Sequence, residues 1–198
     1  MSFLGLVVWN LNTDGFLILV IRKLVCILLI VPTAELIKAI RHGYSLEWRG
    51  IHGVAHWARV LENGLRLASL TGARLQVVRL FAVFHDSRRL NEGHDPDHGR
   101  RGADFAAKLR GALFQLPDEE FELLRIACAD HTGRGTVGDV TVQTCWDADR
   151  LDLGRVRIRP QPKYLCTNAA RDPDILSWAY QRSIANVVPK NLINEWKA

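Results

Sequence analysis

The sequence predicts an all-α fold. Three observations carry that reading: apolar side chains recur every three or four positions, helix start and stop residues bracket these stretches, and the period-two alternation of half-buried strands is scarce. Taken in order, residues 1–32 read as an apolar N-terminal extension and 33–198 as one helical domain. Within the extension, 16–31 is apolar except for Arg22 and Lys23 in mid-run. Each of these cations would cost about 2.5–3.5 kcal/mol at a bilayer centre, and the run is shorter than the ~20 residues a spanning helix needs. The segment also lacks the charge order and small-residue cleavage site of a signal peptide. It reads as a packed helix or strand, with membrane association as the alternative.

Thr33 is an N-cap residue for a helix over 34–41, and Gly43 stops it. A longer helix is predicted over 48–70, with Val54, Trp57, Val60, Leu61 and Leu65 as its apolar stripe and Thr71-Gly72 as its end. The next, 74–85, is apolar on most sides, as a central helix should be. After a polar loop over 88–95, Asp95-Pro96 opens a helix to about 113. Pro117-Asp118-Glu119-Glu120 then opens another, because proline and acids suit a first turn. It ends near Asp130-His131, before a glycine-rich loop over 133–138. Helices over 139–154, 172–184 and 190–196 complete the chain, and no internal repeat is present.

With 198 residues, 48% of them hydrophobic, the chain can bury one substantial core and has no room for a second sizeable domain. Its net charge of +5 comes largely from arginine, whose planar fork suits anionic ligands such as phosphates. These arginines are spread along the chain without interleaved aromatics, which argues against nucleic acid as the partner and for a small phosphorylated substrate. Cys26, Cys128, Cys145 and Cys166 form no C-x-x-C pair and fall mostly in apolar patterns, as buried, reduced thiols of a cytoplasmic protein do.

The chemistry lies in the histidines. His85-Asp86 closes the apolar run 80–84, so two polar side chains sit where a buried helix meets a loop. Burying them unpaired is costly. A divalent cation removes the cost, since neutral imidazole and carboxylate are both first-row metal ligands. His56 stands upstream, and Asp147-Ala148-Asp149-Arg150-Leu151-Asp152 forms an acidic helical block downstream. His52 and His56, four apart, share a predicted helix face, but Gly53 occupies the position of a zinc peptidase's general base, which excludes that activity. His42 and His94 read as solvated surface residues.

In this order, a His on one helix, a His-Asp pair ending a later one and an Asp in an Ala-Asp-Arg-Leu block, the segments resemble the HD-domain superfamily over about residues 45–160. The resemblance implies a helical bundle with a metal site among its central helices. It makes His56, His85, Asp86 and Asp149 the expected ligands; Asp147 is the rival for the last place, because each residue turns a helix by about 100°. Superfamily members that bind two metals place further histidines between the His-Asp pair and the final Asp. His98 and His131 match that order, with Asp86 as the bridge, so one ion is expected and two are allowed. Histidine and carboxylate accept Mn, Fe, Co, Ni, Zn or Mg alike.

The implied function is a metal-dependent phosphohydrolase acting on a small phosphorylated metabolite, a nucleotide foremost. Arg59, Arg88, Arg89 and Arg150 are the expected phosphate clamps, and His52 an expected substrate contact. Asp152 would orient a ligand or act on a proton, and His131 or the water partner of Asp86 would serve as general acid. Two alternatives remain open: an HD-fold di-iron oxygenase, whose ligand order is the same, and a non-catalytic regulatory module that binds metal or an anion. A missing Gly-Tyr-Pro triplet after His85-Asp86 argues against cyclic dinucleotides as substrate, and a missing synthetase block against alarmones.

Overall fold

Helix boundaries follow the chain's own start and stop residues in a computed structural model that describes residues 32–133, 135–189 and 196. The extension through residue 31, Cys26 and the predicted 190–196 helix, Trp196 apart, lie outside the described residues. Thr33 accepts a hydrogen bond from the Leu36 N–H at 3.2 Å and so caps α1 (Ala34–His42), which buries Leu36, Ile37 and Ile40.

α2 (Val54–Thr71) begins later than the apolar stripe predicts. The chain first doubles back: Gly53 donates to the Gly50 carbonyl at 3.0 Å and Val54 to the Trp48 carbonyl at 2.9 Å. Only glycine allows this turn, since a Cβ at position 53 would lie 2.2 Å from the Trp48 carbonyl oxygen. His52 therefore precedes the helix, and the expected shared helix face with His56 does not form. At the far end Gly72 takes a left-handed φ of 74° and donates back to the Ala68 carbonyl.

α3 (Leu75–Phe84) is the centre of the domain: it buries Val77, Val78 and every residue from Leu80 to Phe84. It packs against α1, α2, α4 (His98–Leu109), α5 (Asp118–Asp130) and α6 (Val140–Arg150). α4 ends before the predicted limit because Arg110 turns extended at ψ 136° and Gly111 takes a φ of 89°. Likewise, α6 does not run to residue 154. It stops at Arg150, and a short 3-10 turn (Leu153–Val156) redirects the chain. An unpredicted single turn, α7 (Asn168–Arg171), is capped by Thr167, and α8 (Pro173–Ile184) opens on an Asp172 cap and a proline in its first turn.

Among the described residues there is no strand and no helix long and apolar enough to cross a membrane. Cys128, Cys145 and Cys166 are free, the first two fully buried, and burial pushes their thiols up, Cys166 to about 12. The thiolate, the reactive form, is disfavoured in all three.

Two glycines bring α4 against the ends of its neighbours. A Cβ on Gly102 would stand 2.3 Å from the Phe84 carbonyl oxygen, and one on Gly99 would stand 2.1 Å from that of Cys128. Replacing a helix-interior glycine with alanine normally gains about 0.5–1 kcal/mol, but forcing helices apart in a packed core costs about 1–3 kcal/mol. Gly102→Ala should therefore lower the thermal midpoint; a variant that melts at or above the wild-type temperature would refute the close approach.

Candidate metal centre

Helix ends, not helix faces, assemble the centre. His56 lies in the first turn of α2, His85 and Asp86 directly follow α3, and His98 opens α4. His131 follows α5, and Asp149 sits in the last turn of α6. The C-termini of α3, α5 and α6 thus converge, and their partial negative charge favours a cation there. His56, His85, Asp86, His98 and His131 are all at most 4% exposed.

Asp86 sits between two imidazole pairs. Its Oδ2 lies 3.6 Å from His56 Nε2 and 3.7 Å from His85 Nε2, while its Oδ1 lies 3.0 Å from His98 Nε2 and 3.6 Å from His131 Nε2. Asp149 joins the first set, with Oδ1 3.3 Å from His56 Nε2 and 3.9 Å from His85 Nε2.

The tautomers follow from the other ring nitrogens, each of which faces an oxygen that can only accept. His56 Nδ1 donates to Asp152 Oδ2 at 2.7 Å, His85 Nδ1 to the Phe81 carbonyl at 3.1 Å, and His131 Nδ1 to the Cys128 carbonyl at 2.7 Å. His98 Nδ1 donates to the Asp95 carbonyl. All four Nε2 lone pairs therefore point inward. They meet in pairs, His56 with His85 at 3.0 Å and His98 with His131 at 2.9 Å. Lone pair against lone pair beside a carboxylate is repulsive unless a cation lies between.

Among the described residues no protein donor hydrogen-bonds into the first set, and Arg155 Nη1 stands off at 3.9 Å from Asp149 Oδ1. Asp149 Oδ1 is buried without a hydrogen-bond donor. Burial pushes the fully enclosed His85 down to about 3 despite the nearby Asp86 and Asp149 carboxylates, so it is neutral and free to ligate. In the second set burial would lower His131 too, but the Asp86 carboxylate outweighs it and raises the group. There Arg89 also supplies positive charge, its Nη1 lying 3.0 Å from His98 Nε2 and 3.3 Å from Asp86 Oδ1. His56, His85 and Asp86 thus fit a divalent metal with Asp149 beside the two imidazoles, and the His98, His131 and Asp86 set fits a second one alongside Arg89.

Asp149 and Asp147, two residues apart, face about 200° apart around the helix. Asp147 turns away and accepts from Cys166 N, Thr167 N and the Thr167 hydroxyl at 2.7–2.8 Å, anchoring the segment before α7. Asp149 is the one brought to the cluster.

Of the expected clamps, Arg89 lies beside the ligand set and lines the cavity, but it is buried and its donors are engaged, Nη1 with Asp86 and His98, Nη2 with the Gly93 carbonyl at 2.8 Å and Nε with the Asn91 carbonyl at 3.4 Å. Arg88 is a correction: it donates to the Ile40, Gly43 and Ser87 carbonyls and lies 3.4 Å over the Phe105 ring, away from the site. Arg59 is another, being fully engaged with Asp152 and Asn186. Arg150 reaches the cavity wall, but its donors go to the Tyr164, Gly133 and Gly135 carbonyls, which makes it a brace between loops. His52 pairs with Glu92 and does not line the cavity. Asp152 spends both oxygens on His56 and Arg59, so it orients a ligand and is not placed to carry a substrate proton.

The cavity above the cluster holds about 390 Å³. Asp86, His131 and Asp149 lie at its base, with Arg89, Arg155, Thr132, Leu153 and Tyr164 around it. Arg155 was not expected there. Its Nη1 donates to the Asp152 carbonyl at 3.2 Å and lies 3.9 Å from Asp149 Oδ1, while Nε donates to the Ile51 carbonyl at 3.1 Å. Its phase cannot be read from the α6 pattern, because the helix breaks before it. Asp95 was missed as well: its carbonyl holds His98, and its carboxylate holds Arg101 and the Leu90 N–H.

No protein-family model and no curated protein matches the chain. Among solved structures it is similar to a protein described as a predicted HD superfamily hydrolase from an uncultured Thermotogales bacterium, at 25% identity and a TM-score of 0.59. The match covers 82% of this chain and 91% of that one. Helical architecture, ligand order and this likeness agree: the chain has the HD-domain fold.

Proposed function

We propose that the protein is a metal-dependent phosphohydrolase acting on a small phosphorylated metabolite, with nucleotides as the leading class. The observation that carries this reading is the pair of inward-facing imidazole sets on either side of Asp86, at the base of a cavity lined by Arg89 and Arg155. His56, His85, Asp86 and Asp149 would hold one ion, and Asp86, His98 and His131 a second. Bound divalent metal supplies Lewis acidity toward a phosphoryl oxygen and lowers the pKa of a water molecule toward neutrality.

The chain's own groups do the rest. Arg89 and Arg155 attract the phosphoryl anion and orient it, and they stabilise charge that grows on its oxygens. Leu153 and Tyr164 give the cavity an apolar side suited to the non-phosphate part of a metabolite, and its volume is within the range of small-ligand sites. Asp152, itself fixed by Arg59, keeps His56 in the ligating tautomer. In the net reaction water forms the new P–O bond, the ester P–O bond breaks, and a proton passes to the leaving oxygen. The three described thiols, all free, support a cytoplasmic setting.

A di-iron oxygenase would use the same six positions. The cationic lining of the cavity favours the phosphohydrolase, and iron content with dioxygen uptake separates the two. Elemental analysis of purified protein, paired with a phosphatase screen, should show bound divalent metal and phosphoester turnover. His85→Ala and Asp149→Ala should each lose both; metal-replete, active variants would refute the ligand set. Chelation should lower the thermal midpoint and readdition restore it, since a ligand at 100 times its Kd contributes about 2.7 kcal/mol. An unchanged melting curve would mean that no structural ion binds. Asp152→Asn should weaken metal binding by about 10–100-fold through the freed His56 tautomer, and a variant with wild-type affinity would show that Asp152 does not orient the ligand.

A further inference from the structure

A second cavity of about 300 Å³ lies beside the first, and Arg155 lines both. Arg49, Arg59, Arg155 and Arg157 stand on its walls, and no aspartate or glutamate does. Arg59 is neutralised by Asp152, and Arg155 stands 3.9 Å from Asp149. Arg49 and Arg157 are exposed, and neither side chain has a hydrogen bond or ion pair among the described residues. The cavity thus carries unneutralised guanidinium charge at its mouth over buried guanidinium below.

Two helix ends turn at the same place. Among the described residues Arg157, at φ 62°, and Asn186, at φ 47°, are the two non-glycine residues with positive φ, and both line this cavity. Each stands at a helix end, Arg157 capping the 3-10 turn and Asn186 just past the cap of α8, where a left-handed residue is a common stop and asparagine tolerates it. Arginine is the costlier of the two in that region, which glycine would occupy freely. The first turn holds an arginine on the cavity wall, while Asn186 Oδ1 accepts from Arg59 Nη1 at 2.7 Å and fixes the inner guanidinium.

We propose that this arginine-lined cavity is a phosphate-binding site separate from the metal centre. Guanidinium forks match the tetrahedral oxygens of a phosphate in pairs, and the volume suits one phosphate group with a small appendage. The group is either free phosphate or the far phosphate of a molecule whose near end lies in the first cavity, with Arg155 between them. The site holds its anion without metal.

Calorimetric titration of the full chain with inorganic phosphate and pyrophosphate, in chelator and phosphate-free buffer, tests this directly. Wild-type protein should bind, and Arg49→Ser/Arg157→Gly should bind about tenfold more weakly or worse, as expected for lost charge-assisted hydrogen bonds. The thermal midpoint should hold or rise, because Arg157→Gly relieves the left-handed backbone. Should the double variant fail to fold, Arg49→Ser alone, at an exposed position, carries the same test. Absence of wild-type binding, or equal binding by a folded variant, overturns the site. Metal content is measured in parallel and should be unchanged, so failure here is distinct from failure of the metal reading. A KM raised for diphosphate esters but not for monophosphates identifies the far phosphate of a substrate, and weakened phosphate binding with both KM values unchanged identifies free phosphate.

Discussion

A carboxylate buried at the end of the central helix is the constraint on which this structure depends. Asp86 is 1% exposed, and an uncompensated ionised group there would cost several kcal/mol, a large part of a domain's whole stability. Burial pushes it up, and only positive charge placed beside it, on the surrounding His85, His131, His98 and His56 rings when they carry a proton, holds it well below the usual carboxylate range. The protein could have met the charge with buried arginine alone. Arg89 does so in part, on one oxygen only. The other oxygen faces the His56 and His85 rings and Asp149, an arrangement that stabilises a metal far better than it stabilises itself.

Everything nearby serves orientation. The Phe81 and Cys128 carbonyls at the ends of α3 and α5, and that of Asp95 before α4, take the Nδ1 protons, so the helix termini fix the tautomers directly. For His56, which opens a helix and has no such carbonyl beneath it, Asp152 takes the role, and Arg59 in turn compensates Asp152. Gly99 and Gly102 let α4 lie close enough for His98 to meet His131. Arginine is thereby divided between two tasks. Arg59, Arg88 and Arg150 brace the scaffold, Arg89 and Arg155 are held by backbone carbonyls yet line the first cavity, and Arg49 and Arg157 line the second from exposed positions.

Much of this was legible from residue types. His85-Asp86 closing an apolar run marks a buried polar pair in need of compensation, and the capping residues Thr33, Gly72, Asp139 and Asp172 place helix ends to within a few positions. Arginine roles were not legible, because a long side chain reaches several neighbours and its destination depends on helices far away in sequence. Arg88 looked like a clamp for its nearness to Asp86 along the chain, yet its guanidinium crosses to α1 and the Phe105 ring. His52 was misplaced for a local reason, the turn at Gly50 and Gly53 that ends the helical phase before it.

By itself the sequence determined the helical class, the central position of α3 and the chemical nature of the ligands, because periodicity, capping and buried polarity are local properties of the chain. Tertiary structure alone decided that Asp147 is spent on the segment before α7, that all four Nε2 atoms converge, and that Arg155 joins two cavities. Those outcomes depend on how helix ends meet across long separations in sequence, and no residue carries that information in its own neighbourhood.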